Sequence, residues 1–272
     1  MTSIWILFLL AIIQALTEFL PVSSSGHLAI VQLIIKSFKE PPVLFDLFLH
    51  LGTLIATIIY FRRQIIEIFQ IIKENYTKPQ KFIWFYSKSN NILSALLWGT
   101  AATGAIAFPL INLSEKAFTN YIYIILAFFI TAIILYLTKF AKEDSNINIA
   151  GKEAILIGIF QGIAIFPGIS RSAMTISIAL LLGIEKRKAF NYSFLLSIPA
   201  IGGSLIIESF SYKNNLANNI SSYLYSSLIA FIIGYVSLII LKRLIEKSRF
   251  YYFSYYCLLI AIIFSIYFYA SH

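Results

Sequence analysis

The chain has 272 residues, 59% of them hydrophobic and 16% aromatic, with only 12% charged. A soluble domain carries about 25% charged residues, so this chain has too little polar surface to coat a water-soluble globule, and the same numbers exclude disordered, collagen-like and disulfide-rich secreted chains. The net charge of +9 comes from Lys and Arg placed between apolar runs, where they orient membrane segments rather than form a nucleic-acid-binding face.

Met1-Thr2-Ser3-Ile4 lacks the basic start of a cleavable signal peptide, and the apolar stretch behind it runs into Gln14 and Glu18. It is expected to stay in the mature protein. Residues 4–35 are apolar but broken from Pro21 to His27. Each half holds about a dozen residues, too few to cross at about 1.5 Å per residue. The expected shape is a helical hairpin that enters and leaves the bilayer on one side. Residues 43–61 form a first full span, followed by the polar excursion 62–91, a surface loop or interfacial helix. Further spans are expected at 92–111 and 120–138. A second broken segment, 154–184, is interrupted from Pro167 to Ser172, and spans follow at 190–207, 222–241 and 250–269. Cys257, the only cysteine, lies in the last span, where a small buried residue is expected; no disulfide or cysteine metal site is open to the chain.

The basic residues fix the topology. Arg62, Arg63, Lys73, Lys78, Lys81 and Lys88 fill one loop, and Lys139, Lys142 and Lys152 another. Lys186, Arg187 and Lys188 fill a third, and Lys242, Arg243, Lys247 and Arg249 a fourth. The other connections carry only Lys36, Lys39, Lys116 and Lys213. With both hairpins re-entrant, the four rich loops share one side, which is cytoplasmic. The chain also repeats itself. Gln14 precedes Pro21 and a serine run, and Gln161 precedes Pro167 and another serine-containing loop. The expected fold is therefore an all-α polytopic membrane protein with six transmembrane helices and two re-entrant hairpins. It is a single membrane domain over 1–272 whose inverted-topology repeats cover about 1–138 and 150–272, with the two broken loops facing each other in the membrane.

An ionised side chain at a helix centre in the bilayer costs at least about 2.5–3.5 kcal/mol, so intramembrane charges mark function. Glu18, Asp46 and Arg171 qualify, with His27 and His50 as titratable neighbours. Glu18 and His27 belong to the first hairpin and Arg171 to the second. A buried Glu18–Arg171 ion pair would explain the charges but not the two Gly/Ser-rich loops, Ser23-Ser24-Ser25-Gly26-His27 and Pro167-Gly168-Ile169-Ser170-Arg171-Ser172. Hydroxyls, backbone N–H groups at helix starts and a guanidinium together favour a phosphate-like anion. Asp46 serves equally well as a helix cap, and His50 as a packing residue.

Gln14-x-x-x-Glu18-Phe19-Leu20-Pro21 followed by Ser23-Ser24-Ser25-Gly26-His27 resembles the first signature of the undecaprenyl-diphosphate phosphatases of the bacitracin-resistance type. Pro167-Gly168-Ile169-Ser170-Arg171-Ser172 is similar to their second signature. Phe45-Asp46 with His50-Leu51-Gly52-Thr53-Leu54, and Phe194 to Ala200, resemble the flanking segments, so the resemblance runs along the whole chain. Gln14 stands where Glu is frequent, Ala15 where Gly is usual, and Ala173 where Gly often follows. The resemblance implies hydrolysis of undecaprenyl diphosphate to the monophosphate and inorganic phosphate, recycling the carrier lipid for cell-wall synthesis and conferring bacitracin resistance, in the bacterial cytoplasmic membrane.

The implied partners are the polyprenyl diphosphate and the bilayer, with no nucleic acid; a homodimer stays open. Ser24, His27, Glu18 and Arg171 are the expected catalytic residues. Ser24 is nucleophile or nucleophile neighbour, His27 its base or the acid for the leaving oxygen, Glu18 an orienting group or base, and Arg171 the phosphate clamp. Ser25, Ser170, Ser172, Gly26 and Gln14 are expected around the phosphates. No organic cofactor is expected; the resemblance brings Mg²⁺ or Ca²⁺, with Glu18 as its ligand, and Gln14 in place of a carboxylate weakens a two-carboxylate metal site. The other common class of membrane lipid phosphatase is excluded, because it needs a second histidine soon after its arginine, and the only histidine after Arg171 is His272. A lipid transporter is the remaining rival, since opposed hairpins recur there.

Overall fold

The computed structural model describes residues 4–35, 42–76, 92–144, 147–211, 220–247 and 250–271, and these form eleven α-helices and one 3-10 turn with no strand among them. Lys36, Lys39, Lys78, Lys81, Lys88, Lys213 and Arg249 lie outside the described residues. The first broken segment is α1 (Ile4–Thr17) and α2 (Ser24–Ile34), packed together. The second is α7 (Gly151–Ile163) and α8 (Arg171–Leu181), again packed together. At 1.5 Å per residue these arms reach roughly 17–21 Å, short of the ~30 Å hydrocarbon layer.

The other helices are α3 (Pro42–Tyr60), α4 (Arg62–Tyr76), α5 (Ile92–Phe118), α6 (Tyr121–Leu137), α9 (Lys186–Ser211), α10 (Ile220–Lys247) and α11 (Tyr252–Ser271). Five of the helices, α5, α6, α9, α10 and α11, are long and apolar enough to cross a membrane, and α3 makes a sixth when joined to α4 across a bend of 68°. The six expected spans correspond to these helices, and the chain is a multi-pass membrane protein. Several helices outrun the apolar stretches that announced them. α5 continues to Phe118 through Pro109, and α10 runs to Lys247. Apolarity stops where lipid contact stops, whereas the backbone stays helical until a cap or a break ends it. The excursion 62–91 begins as helix α4, with Ile66 and Phe69 exposed; residues 77–91 lie outside the described residues.

Helix pairing is reciprocal between the halves. α1 lies against α10, and α7 lies against α5; α3 meets α9, and α6 meets α11. In lipid there is little hydrophobic force between helices, so close backbone approach through small residues carries much of the packing. At the α5–α7 contact a Cβ added to Gly158 would run into the carbonyl oxygen of Gly99, and Thr103 Oγ1 donates across the gap to the Gly158 carbonyl at 3.1 Å. At the α3–α10 contact a Cβ on Gly52 would meet the Ser227 carbonyl oxygen. The largest buried cluster gathers Phe19, Phe61, Phe190, Tyr192 and Phe194. Phe194 lies 5.9 Å from Phe19 and 6.1 Å from Phe61 between ring centroids, so the loop after α1 is anchored on α9.

Gly158→Ala is expected to overpack the α5–α7 contact and cost about 1–3 kcal/mol. Gly104→Ala, on α5 with open space around its Cα, is expected to raise stability by about 0.5–1 kcal/mol through helix propensity alone. Thermal unfolding of the two purified variants in one detergent separates close packing from helix propensity.

Candidate active site

The site forms where the two interrupted segments meet. Glu18 extends the last turn of α1, its N–H donating to the Gln14 carbonyl at 2.8 Å. Phe19 locks into the aromatic cluster, and Pro21 turns the chain toward α2. Ser23 adopts φ 68°, the only positive value at a non-glycine among the described residues, a conformation that costs of order 1 kcal/mol or more. Its hydroxyl is what the conformation secures. Ser23 Oγ accepts from the Gly26 N–H at 3.3 Å, capping α2, and from the Gly168 N–H at 3.1 Å, so one oxygen ties the two loops together.

The loops touch at their glycines. A Cβ on Gly26 would lie 2.7 Å from Gly168 Cα and 2.8 Å from the Phe128 ring. Gly168 itself sits at φ 96°, where a side chain is strained. Thr131 of α6 clasps this second loop from behind, donating to the Gly168 carbonyl at 2.9 Å and accepting from the Ser170 N–H at 3.2 Å. Ser170 caps α8 by accepting from the Ala173 N–H at 3.2 Å. Ser172 Oγ reaches back to the Leu20 carbonyl at 3.3 Å and lies 3.3 Å from Ser170 Oγ.

These braces bring the charged groups together. Arg171 Nη2 donates to Glu18 Oε1 at 2.6 Å, with side-chain exposures of 17% and 4%. The other carboxylate oxygen accepts from Ser24 Oγ at 2.5 Å and from Gln14 Nε2 at 3.1 Å. Glu18, Ser24, Arg171 and Gln14, drawn from both halves of the chain, are thus one cluster. The carboxylate is held in place by the guanidinium and the amide and lies within hydrogen-bond reach of the Ser24 hydroxyl, the geometry a general base requires. The remaining guanidinium N–H groups make no hydrogen bond among the described residues.

The other expected members sit at its edge. His27 does not meet Ser24: its Nδ1 lies 2.7 Å from the Ser23 carbonyl and its Nε2 2.9 Å from Tyr256 Oη. Since the carbonyl can only accept, Nδ1 carries the proton and Nε2 accepts from Tyr256. The ring, stacked on Tyr256 and edge-on to Phe128, props the strained Ser23. Ser25 Oγ lies 3.5 Å from Ser23 Oγ. Asp46 accepts from Gln32 Nε2 at 2.9 Å, a link between α2 and α3. Cys257 is buried with its Sγ 3.7 Å from the Pro21 carbonyl, a backing for the first loop.

A divalent cation needs about six oxygen ligands. Among the described residues no three His, Cys, Asp or Glu side chains gather to hold one. Glu18 has both oxygens engaged, one of them by a cation already. Among the described residues Glu18 is thus the one carboxylate of this cluster that could face a cation.

Sequence reasoning passed over Thr131 and Tyr256. Thr131 carried a signal, being the one hydroxyl on the otherwise apolar and aromatic helix α6 apart from its tyrosines. Tyr256 carried none, because it is one of four tyrosines between 251 and 256.

A buried cluster of carboxylate, serine and arginine, built from two touching Gly/Ser loops of a multi-pass membrane protein, defines a class: polytopic enzymes that handle a phosphorylated group at the bilayer. The chain belongs to the bacitracin resistance protein BacA family, whose model matches residues 7–263. It is 40% identical over 255 residues to an undecaprenyl-diphosphatase of Thermosipho africanus, covering 93% of this chain and 96% of that one. An undecaprenyl-diphosphatase of Treponema denticola is 38% identical, with 98% of both chains covered. One of Korarchaeum cryptofilum is 37% identical over 255 residues, with 93% of this chain and 95% of that one covered.

Removing one partner of a buried ion pair strands the other charge. Arg171→Ala is expected to lower unfolding stability in detergent by about 3 kcal/mol, and adding Glu18→Gln to recover most of the loss. Equal destabilisation of single and double variants would show that the pair is not coupled.

Proposed function

We propose that the protein hydrolyses undecaprenyl diphosphate to undecaprenyl phosphate and inorganic phosphate, recycling the lipid carrier of cell-wall synthesis and so conferring bacitracin resistance. The observation that carries the reading is the contact of Ser24 Oγ with a carboxylate that Arg171 holds from the other half of the chain. Family membership over nearly the whole chain and the undecaprenyl-diphosphatase relatives support the substrate.

The isoprenoid tail stays in the hydrocarbon while the diphosphate enters the loop cluster. Arg171 turns its free N–H groups to the terminal phosphate, where a planar guanidinium binds two oxygens at once. Ser24 Oγ attacks the terminal phosphorus as Glu18 takes its proton. The bond from that phosphorus to the bridging oxygen breaks, and undecaprenyl phosphate leaves with the bridging oxygen. Glu18 passes the serine proton to the departing lipid phosphate and is a carboxylate again. Water then attacks the phosphoserine as Glu18 takes its proton, and that proton returns to Ser24 Oγ as the serine–phosphorus bond breaks and phosphate departs. Phosphoryl transfer of this kind rests on positioning and charge stabilisation, which the opposed loops supply through Arg171, Ser170, Ser172 and Ser25, while the Gly26 N–H is committed to Ser23 Oγ. His27 has both ring nitrogens committed, so it holds Ser23 in place, and Glu18 is the base. Gln14 stands behind Glu18 and orients it.

The reciprocal helix pairing supports reading the chain as one membrane domain of two inverted repeats, with both hairpins re-entrant and the basic loops cytoplasmic. The protein then resides in the bacterial cytoplasmic membrane. A pure transporter would need neither the carboxylate nor the hydroxyl in contact with it.

Purified protein given farnesyl diphosphate in detergent is expected to release phosphate. Glu18→Gln lowers the rate about 10²–10⁴-fold, the usual weight of a general base. Ser24→Ala falls to background. Turnover near wild type in Ser24→Ala would remove the phosphoserine and make water the attacking group; no release by wild type would overturn the assignment in favour of transport.

A further inference from the structure

One imidazole beside Glu18 has no part in that reaction. His50, on α3, places Nδ1 3.1 Å from Gln14 Nε2 and 3.7 Å from Glu18 Oε2. Its side chain is 28% exposed, against 4% for Glu18, and Nε2 makes no hydrogen bond among the described residues.

The contacts assign its tautomer. Gln14 Nε2 lies 3.1 Å from Glu18 Oε2, and exchanging the amide's oxygen and nitrogen would press two acceptors together. The amide is held by its NH₂ end, and its buried Oε1 is left without a partner. Both N–H groups are then donated, one to Glu18 and one to His50 Nδ1. An Nδ1 that accepts leaves the ring proton on Nε2, the nitrogen with no partner.

The second half of the chain supplies an internal control. There Gln161 occupies the matching place, and its Nε2 donates to Thr103 Oγ1 at 3.1 Å and to the Leu196 carbonyl at 3.4 Å. At the spacing that relates Gln14 to Gln161, His50 corresponds to Ser197 of α9, a buried residue whose hydroxyl donates to the Phe194 carbonyl of its own helix at 2.7 Å. A glutamine bracing two helices needs no imidazole. The polar ring appears only in the half that holds Glu18 and Ser24.

We propose that His50 Nε2–H is a further phosphate donor, fixed in that tautomer by Gln14, and that it binds a non-bridging oxygen of the lipid diphosphate. The proposal rests on reading the Glu18–Ser24–Arg171 cluster as a phosphoryl-transfer site. A neutral donor holds the diphosphate in ground and transition states alike, so its loss raises KM more than it lowers kcat.

The test is phosphate release from farnesyl diphosphate by the full-length protein in detergent. His50→Leu, which removes the N–H and keeps an apolar side chain, is expected to raise KM about tenfold, the weight of one hydrogen bond, with kcat changed less than about twofold. His50→Gln, which restores an N–H, keeps KM within about threefold of wild type. An unchanged KM in His50→Leu, or a His50→Gln variant as impaired as His50→Leu, overturns the proposal while leaving the phosphatase reading standing. No release by wild type removes the phosphatase reading itself, and the proposal with it. Nitrogen-15 NMR of histidine-labelled wild type, with the His50 signal identified by its loss in His50→Gln, is expected to show the proton on Nε2. A proton on Nδ1 overturns the proposal even if His50→Leu fails to fold.

Discussion

The Glu18–Arg171 contact is the interaction on which the remaining geometry depends. Either charge alone, at the depth where two short helical arms meet, would be costly, and the pair itself gains little net stability once both ions are desolvated. Its value is registration. Glu18 closes α1 in one half of the chain and Arg171 opens α8 in the other, so satisfying the two charges forces the halves into one relative position. That position sets Ser24 against Glu18 Oε2 and leaves part of the guanidinium fork unspent.

Neutral groups make the same junction rigid. Gly26 and Gly168 let the loops touch, and Thr131 clasps the second loop by both its carbonyl and an N–H group. Exposed backbone is tolerated at membrane depth only where such partners or a polar cavity satisfy it. The hydroxyls therefore do two different jobs. Ser23, Ser170 and Thr131 hold the backbone, whereas Ser24 is aimed at the carboxylate.

Much of this was legible in the residues, because lipid makes sequence unusually outspoken. Glu18 and Arg171 stand out since a charge in an apolar run demands a reason, and the broken segments stand out since a dozen residues cannot span. The full spans followed from apolar length, although their ends did not: helix α10 runs on into Lys242, Arg243 and Lys247, beyond the point where hydropathy turns. Side-chain pairing was less accessible. His27 follows the serines so closely that it reads as the base of Ser24, yet one helical turn carries its ring to the Ser23 carbonyl and to Tyr256, 229 positions away. No local pattern marks that tyrosine among its neighbours. His50 was visible as a residue and ambiguous in purpose, since only the folded chain shows that it adjoins Gln14.

Ser23 leaves a mark on how this position is able to vary. Its backbone geometry is one that glycine adopts freely and serine adopts under strain, so conformational preference alone pulls the site toward glycine. The hydroxyl pulls the other way, because removing it would orphan the Gly26 and Gly168 N–H groups together. Two opposed pressures thus meet at one residue, the backbone favouring the smallest side chain and the junction requiring an oxygen.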